Sequence, residues 1–387
     1  MMKINSVKDY TSQMDYIDSD IEEKIFNRLE EIKNYKVDKK DILNSLQRDS
    51  IDELDFYNLI SDEALDYLEE IAEKARKKRI KYFGNNVYLF SPLYIANHCE
   101  NHCRYCGFRV GSGIKRTKLT LEEIEEEMIF LRDEHIEDVL ILTGESPSST
   151  PVEYIGQAVK LARKYFRVIG LEIHPANIKD YKYLRECGAD FVTVFQETYN
   201  ENAYDFYHPA GNKRSLSYRL NTQERAVLGG MRGVGFGALF GLSDPLEDAF
   251  CMAYHANLLQ KKYPQTEIAI SLPRIRPTVG IDDLKLEKVS EKKLFQIMCA
   301  IRIYLPFASI TISTRESEAF RNLSIQYAAT KISASVDTGI GRRSGEIVDE
   351  DEGDEQFEIN DQRSVETIEK DLKKIDMTAV LNDYINL

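Results

Sequence analysis

Beyond Tyr88 the chain alternates short apolar runs with amphipathic segments, the rhythm of parallel strands joined by crossover helices. Eight runs follow it: Leu93–Ala96, Asp138–Leu142, Val168–Ile173, Phe191–Phe195, Gly233–Leu239, Ile268–Leu272, Ile310–Ser313 and Lys331–Ser335. Eight is the number at which parallel strands close into a barrel. Between the runs, Thr120-Leu-Glu-Glu123 predicts a helix start through a capping box, and Thr150-Pro151-Val-Glu153 predicts another with proline at the first helical position. A helix from Ser290 is expected to bury Leu294, Ile297, Met298 and Ile301. Before Tyr88 the pattern is helical, with helices predicted at Ile21–Ile32, Ile42–Leu46 and Glu63–Lys78, the last with Leu65, Leu68 and Ile71 on one face. The expected architecture is α/β: a (β/α)8 TIM-type barrel over 83–336, an N-terminal helical extension over 1–82 and a short C-terminal extension over 337–387. That last stretch holds an acidic run, Asp349–Glu355, read as a solvated loop, and a helix predicted at Val365–Lys374. No internal repeat is visible.

Composition narrows the class. At 387 residues, 43% hydrophobic and 30% charged, the chain has the balance of a globular protein and length enough for one large barrel. A net charge of -14 repels polyanions, so nucleic acid and anionic membrane surfaces are not expected partners. The one basic cluster, Lys74–Lys81, reads as a helix C-terminus facing its own dipole. Without a membrane-length apolar run or the apolar core of a signal peptide, the expected location is the cytoplasm. Of six cysteines, Cys187, Cys251 and Cys299 stand apart and read as buried thiols, whereas Cys99, Cys103 and Cys106 fall within eight residues. In a reducing compartment such a cluster points to metal.

In a parallel barrel the strand ends share one rim, so residues just after each run converge. That rim collects the cysteine cluster, Thr143-Gly144-Glu145, His174-Pro175, Gln196-Glu197-Thr198, Gly241-Leu-Ser243-Asp244, Pro273-Arg274-Ile-Arg276-Pro277 and Ser313-Thr314-Arg315. Cys99-Glu-Asn-His-Cys103-Arg-Tyr-Cys106 spaces three thiolates as C-x3-C-x2-C, soft ligands suited to iron-sulfur clusters or zinc. A [4Fe-4S] cube normally takes four cysteines, so three leave one iron open to an outside ligand. Zinc instead requires a fourth protein ligand from His98 or His102, which otherwise read as flanking residues.

The loop resembles the signature of the radical S-adenosylmethionine superfamily, with Tyr105 as the aromatic residue before its last cysteine. The resemblance implies a [4Fe-4S] cluster held by Cys99, Cys103 and Cys106, S-adenosylmethionine on the open iron, and a 5'-deoxyadenosyl radical. It places Thr143, Gly144 and Glu145 at the methionine amino group. Six ordered motifs are similar to those of the aromatic amino-acid lyases: Pro92–Asn97, Cys106–Phe108, Thr143–Glu145, Gln196–Tyr199, Pro273–Pro277 and Ser313–Glu316. That likeness implies cleavage of the Cα-Cβ bond of L-tyrosine to dehydroglycine and p-cresol for thiazole (thiamine) biosynthesis. Arg315 then clamps the substrate carboxylate with Ser313 assisting, and Glu172, Gln196 and Arg219 are candidates for nucleoside or substrate contacts. Thiazole synthase is an implied partner, and flavodoxin or ferredoxin an implied electron donor. The alternatives are a lyase of another aromatic amino acid, such as tryptophan, and a tyrosine lyase like the hydrogenase maturase but lacking that enzyme's second cluster domain. No cysteine follows Cys299, which favours dehydroglycine as the released product.

Overall fold

The structure, a computed structural model, describes residues 4–276, 284, 286–341, 343 and 359–381. The acidic run Asp349–Glu355 and Pro277 of the rim motif lie outside the described residues.

Each of the eight apolar runs forms a strand: β1 Asn86–Ala96, β2 Asp138–Thr143, β3 Val168–Glu172, β4 Phe191–Thr193, β5 Gly233–Gly237, β6 Glu267–Ser271, β7 Ser309–Ile312 and β8 Lys331–Ser333. All pair in parallel with their sequence neighbours. β1 then closes the ring, setting Tyr88 against Lys331 of β8 and Ser91 against Val139 of β2. Continuous apolar runs suit this arrangement because helices cover the outside and side chains fill the inside. The predicted TIM-type barrel is therefore the fold observed.

A ninth strand, β9 Thr378–Val380, pairs with Asn86–Tyr88. Tyr88 already meets β8 along one edge, so β9 takes the other edge, below the point where β2 joins. Three residues carry no readable periodicity; only the free lower edge of β1 makes them a strand.

Helix starts follow their caps. The Glu123 amide donates to Thr120 Oγ1 at 3.2 Å and the Thr120 amide to Glu123 Oε2 at 2.6 Å, completing the predicted box. The next helix begins one residue later than predicted, at Val152, with Pro151 in the cap position. The Thr150 hydroxyl donates instead to the Ser146 carbonyl, so it holds the preceding turn. Ser290 caps the helix Glu291–Tyr304, whose Leu294, Ile297, Met298 and Ile301 are fully buried as expected.

In the N-terminal region the helices are Ile21–Ile32, Lys39–Gln47, Glu53–Ile60 and Leu68–Phe83, the last preceded by a 3-10 turn over Glu63–Tyr67. The helix Glu53–Ile60 escaped the periodicity reading, although Asp52 and Asp55 form a capping box at its start. The basic cluster meets its expectation at Lys81, in the last turn of its own helix, and departs from it elsewhere. Lys74 Nζ donates to the Leu46 carbonyl at 2.7 Å and Lys78 Nζ to the Asp49 carbonyl at 2.6 Å, so these lysines satisfy the end of the neighbouring helix Lys39–Gln47, not their own. The region docks on the barrel through Gln296, whose amide donates to the Leu59 and Ser61 carbonyls, and through Arg79, which donates to Ala329.

Cys187, Cys251 and Cys299 are buried free thiols, as expected. Among the described residues no helix is long and apolar enough to cross a membrane. Past the barrel, the buried Asp361 carboxylate pairs with the buried Arg321 of the helix Glu318–Tyr327 and with Arg363 at 2.6 Å. Asp361→Ala is expected to cost about 3–5 kcal/mol of unfolding free energy, because it strands a buried guanidinium. Glu366→Ala, at the exposed pair with Lys370, is expected to leave the unfolding midpoint nearly unchanged. Denaturant titration of both variants checks the contrast.

Candidate active site

The cysteine loop leaves the barrel at Ala96 and is tied to itself before it meets anything else. The Asn97 side chain donates to the Lys115 carbonyl at 2.8 Å and accepts from the Thr117 amide at 2.8 Å. Arg116 donates to the carbonyls of Asn97, Phe108 and Arg109 at 2.6–2.9 Å, gathering both ends of the loop under one guanidinium. His208 Nδ1 faces the Tyr204 carbonyl at 2.8 Å, a contact that places its proton there. Its Nε2 then accepts from the Tyr105 hydroxyl at 2.8 Å. Tyr105 is thus fixed beside the cysteines.

Cys99, Cys103 and Cys106 line one cavity of about 110 Å³ together with Tyr105, Thr143, Gly144, Glu145, Glu172, Arg219 and Arg315. Ten of the predicted site residues therefore meet in one place, brought there from separate strand ends. Burial pushes all three thiols up, Cys99 to about 11, so thiolate formation here calls for a compensating positive metal charge. Among the described residues no three His, Cys, Asp or Glu side chains are grouped to hold a single metal ion. A cubane asks for something else, one thiolate at each of three separate corners, and three cysteines around a shared cavity fit that demand. The Thr143 hydroxyl is buried there without a partner among the described residues, a polar group left for a ligand.

Gly144 shows why β2 ends as it does. Its amide donates to the Ala96 carbonyl at 2.9 Å, and a Cβ at this position would lie 2.2 Å from the His98 carbonyl oxygen. Only glycine lets the strand end lie directly against the cysteine loop.

The next residue belongs to a group of four charges. Glu145 pairs with Arg219 at 3.0 Å and Lys213 at 3.3 Å, while Glu197 pairs with Lys213 at 2.7 Å and Arg219 at 3.3 Å. Burial alone would raise the Glu145 carboxyl, but Arg219 and Lys213 prevail and hold it at about 2. Asn101 links this group to the cysteine loop, donating to Glu145 Oε2 at 3.0 Å and accepting from the Lys213 amide at 2.9 Å.

Several expectations change here. Gln196 does not line the cavity: its amide donates to the Val194 carbonyl and accepts from the Gly237 amide, so it locks β4 to β5. The inward residue is its neighbour Glu197, held at φ +70° by strand-end pairing with Ala238. Arg219, a candidate for nucleoside or substrate contacts, lines the cavity, where its Nε bonds the Phe195 carbonyl and its two terminal nitrogens bond Glu145 and Glu197. Ser313 accepts from the Arg315 amide at 3.1 Å, shaping the turn that presents Arg315, and lines the barrel interior but not the cysteine cavity. Of the two rim arginines, Arg276 lines the cavity and pairs with Glu316 at 3.2 Å, whereas Arg274 bonds Glu316 and the Val289 carbonyl outside it. Lys213, Asn101 and Arg116 went unread because nothing in their local pattern marks them.

Below this space the barrel interior holds a second cavity of about 760 Å³, lined by apolar residues such as Phe90, Leu140, Phe191 and Phe195 and by the Lys331–Asp138 ion pair.

Comparison with known proteins settles the family. Over 346 residues, covering 89% of this chain and 90% of the relative, the sequence is 34% identical to 2-iminoacetate synthase of Salmonella typhimurium, with the same figures for the Escherichia coli protein. The chain belongs to the 2-iminoacetate synthase family. Residues 93–249 match the model of the radical S-adenosylmethionine superfamily, and residues 271–378 match that of the biotin and thiamin synthesis associated domain. The second match ends at Thr378, where β9 begins. A crystal structure of HydG, a maturase of the [FeFe]-hydrogenase, superimposes with a TM-score of 0.86 at 31% identity, covering 94% of this chain and 81% of that one. Methylornithine synthase shares the fold, with a TM-score of 0.69 at 21% identity, covering 87% of this chain and 96% of that one. As a family member the protein is a radical S-adenosylmethionine enzyme that uses a [4Fe-4S] cluster and S-adenosylmethionine.

Gly144→Ala is expected to push β2 off the cysteine loop. Iron bound after anaerobic reconstitution should drop, and the thermal midpoint should fall with it. Both are read on the same samples by iron assay and calorimetry.

Proposed function

We propose that the protein is a 2-iminoacetate synthase, cleaving the Cα-Cβ bond of L-tyrosine to dehydroglycine and p-cresol for thiazole formation in thiamine biosynthesis. The observation that carries this reading is the 34% identity to two curated 2-iminoacetate synthases along 89% of the chain, barrel and C-terminal match alike. When bound, the cluster and S-adenosylmethionine supply a 5'-deoxyadenosyl radical that abstracts hydrogen from the substrate.

This chain's residues prepare that event. Cys99, Cys103 and Cys106 take three corners of the cluster. Glu145, kept ionised by Arg219 and Lys213, presents a carboxylate to the methionine ammonium, with the unpartnered Thr143 hydroxyl beside it. Arg315 offers a planar guanidinium to the substrate carboxylate, and the turn held by Ser313 sets its direction. Dehydroglycine hydrolyses readily, so direct transfer to thiazole synthase fits its chemistry. A one-electron carrier such as flavodoxin or ferredoxin fits the need for a reductant. The likeness to HydG supports a second reading, in which tyrosine cleavage is a first step toward other products.

Anaerobic turnover with tyrosine, S-adenosylmethionine and reductant is expected to give p-cresol and 5'-deoxyadenosine in step, identified by mass spectrometry. Deoxyadenosine without p-cresol would remove tyrosine as the substrate, and release of cyanide would favour the maturase reading. Cys103→Ala should lose cluster absorbance and deoxyadenosine together. Arg315→Ala should keep the cluster and cofactor cleavage while kcat/KM for tyrosine falls about 10²-fold, the worth of a lost bidentate charged contact.

A further inference from the structure

Six residues line both cavities: Tyr94, Leu142, Glu172, Thr193, Phe195 and Arg315. They form the neck where the cysteine-lined space joins the apolar barrel interior. Glu172 is the one acidic and Arg315 the one basic residue among them, and they stand on opposite sides of the ring. Glu172 ends β3 and Arg315 follows β7, strands four places apart in a ring of eight. Each feels the other's charge.

The other acidic groups around this mouth are engaged. Glu145 is bonded by Asn101, Arg219 and Lys213, Glu197 by Lys213 and Arg219, and Glu316 by Arg274 and Arg276. Glu172 accepts no hydrogen bond among the described residues, and its carboxylate opens into the neck. A half-buried carboxylate that no protein group bonds, lining a functional cavity, is a place for a ligand cation.

An α-amino acid supplies one. Its carboxylate and ammonium sit on the same carbon, so a carboxylate seated on Arg315 presents the ammonium to the opposite wall. The aromatic ring then descends among Phe90, Leu140, Phe191 and Phe195, and the amine is left facing the cysteine side. Resting on the tyrosine reading above, we propose that Glu172 receives the substrate ammonium opposite Arg315 and takes one proton from it, leaving a neutral amine for hydrogen abstraction. In this step an O–H bond forms on the carboxylate as one N–H bond breaks heterolytically. Ammonium and carboxylate become amine and carboxylic acid, and no electron is transferred.

The surroundings tune the acceptor. Burial and Glu197 raise the Glu172 carboxyl to about 7, opposed by Arg315, Lys213 and Arg219, while Tyr94, whose own ionisation burial suppresses, stays neutral. Glu172 enters the cycle ionised, so kcat should fall as pH drops through about 7.

The test compares L-tyrosine with 3-(4-hydroxyphenyl)propanoate, which lacks the amino group. Both are bound to cluster-loaded enzyme with S-adenosylmethionine but no reductant, and dissociation constants are read by equilibrium dialysis. The wild type should prefer tyrosine by about 10-fold or more, the scale of one buried charge-assisted contact. Glu172→Gln should bind the two about equally, lower kcat with tyrosine by about 10²-fold and lose the acid limb of the pH profile. Glu172→Asp should restore part of the preference, and it carries the comparison should the Gln variant fail to take up cluster. An unchanged preference for tyrosine in Glu172→Gln overturns the proposal, as does weaker S-adenosylmethionine binding with that preference intact. A wild type that makes no p-cresol sinks the tyrosine reading instead, so the two failures are distinct.

Discussion

Two carboxylates and two cations, buried together, organise the mouth of this barrel. Glu145 comes from just past β2, Glu197 from just past β4, and Lys213 and Arg219 from the stretch before β5, and each charge touches both of opposite sign. In a low-dielectric rim no single member is tolerable alone; as a closed set of zero net charge they are held by mutual attraction and by the hydrogen bonds of Arg219 and Asn101. Because Asn101 lies between Cys99 and Cys103, the position of the cysteine loop is referred to the same set.

Arg219, Lys213 and Gln196 are bonded to the protein's own groups. Thr143, Glu172 and Arg315 line the cavity that Arg219 and Lys213 also border, and it is to these three that we assign the amino acid and the sulfonium cofactor. The narrow cysteine-lined space sits above a much larger apolar one, so a polar head and an aromatic tail have separate, adjoining places.

Much of this was legible in the chain. All eight barrel strands were, because strands buried on both faces read as continuous apolar runs, and the helix Val365–Lys374 was, because its apolar stripe is strongly periodic. That the three cysteines, the residues after β2 and Arg315 meet in one cavity was legible because strand ends of a parallel barrel must converge. Gln196 was misread for Glu197: neighbouring residues point to opposite sides, and a left-handed backbone at Glu197 decides which one turns inward. Lys213 and Arg116 were invisible because each acts on groups that only the folded chain brings near. β9 was invisible because its strand character belongs to its partner's vacant edge.

That last pairing has a bearing on biosynthesis. β1, formed near residue 90, finds one neighbour in β2 within fifty residues, but its others are β8 and β9, the latter ending at Val380. During translation the growing polypeptide must therefore keep an unsealed, sticky sheet margin until nearly the last codons described here have been read. Ribosome-associated chaperones would find their natural client in that waiting margin.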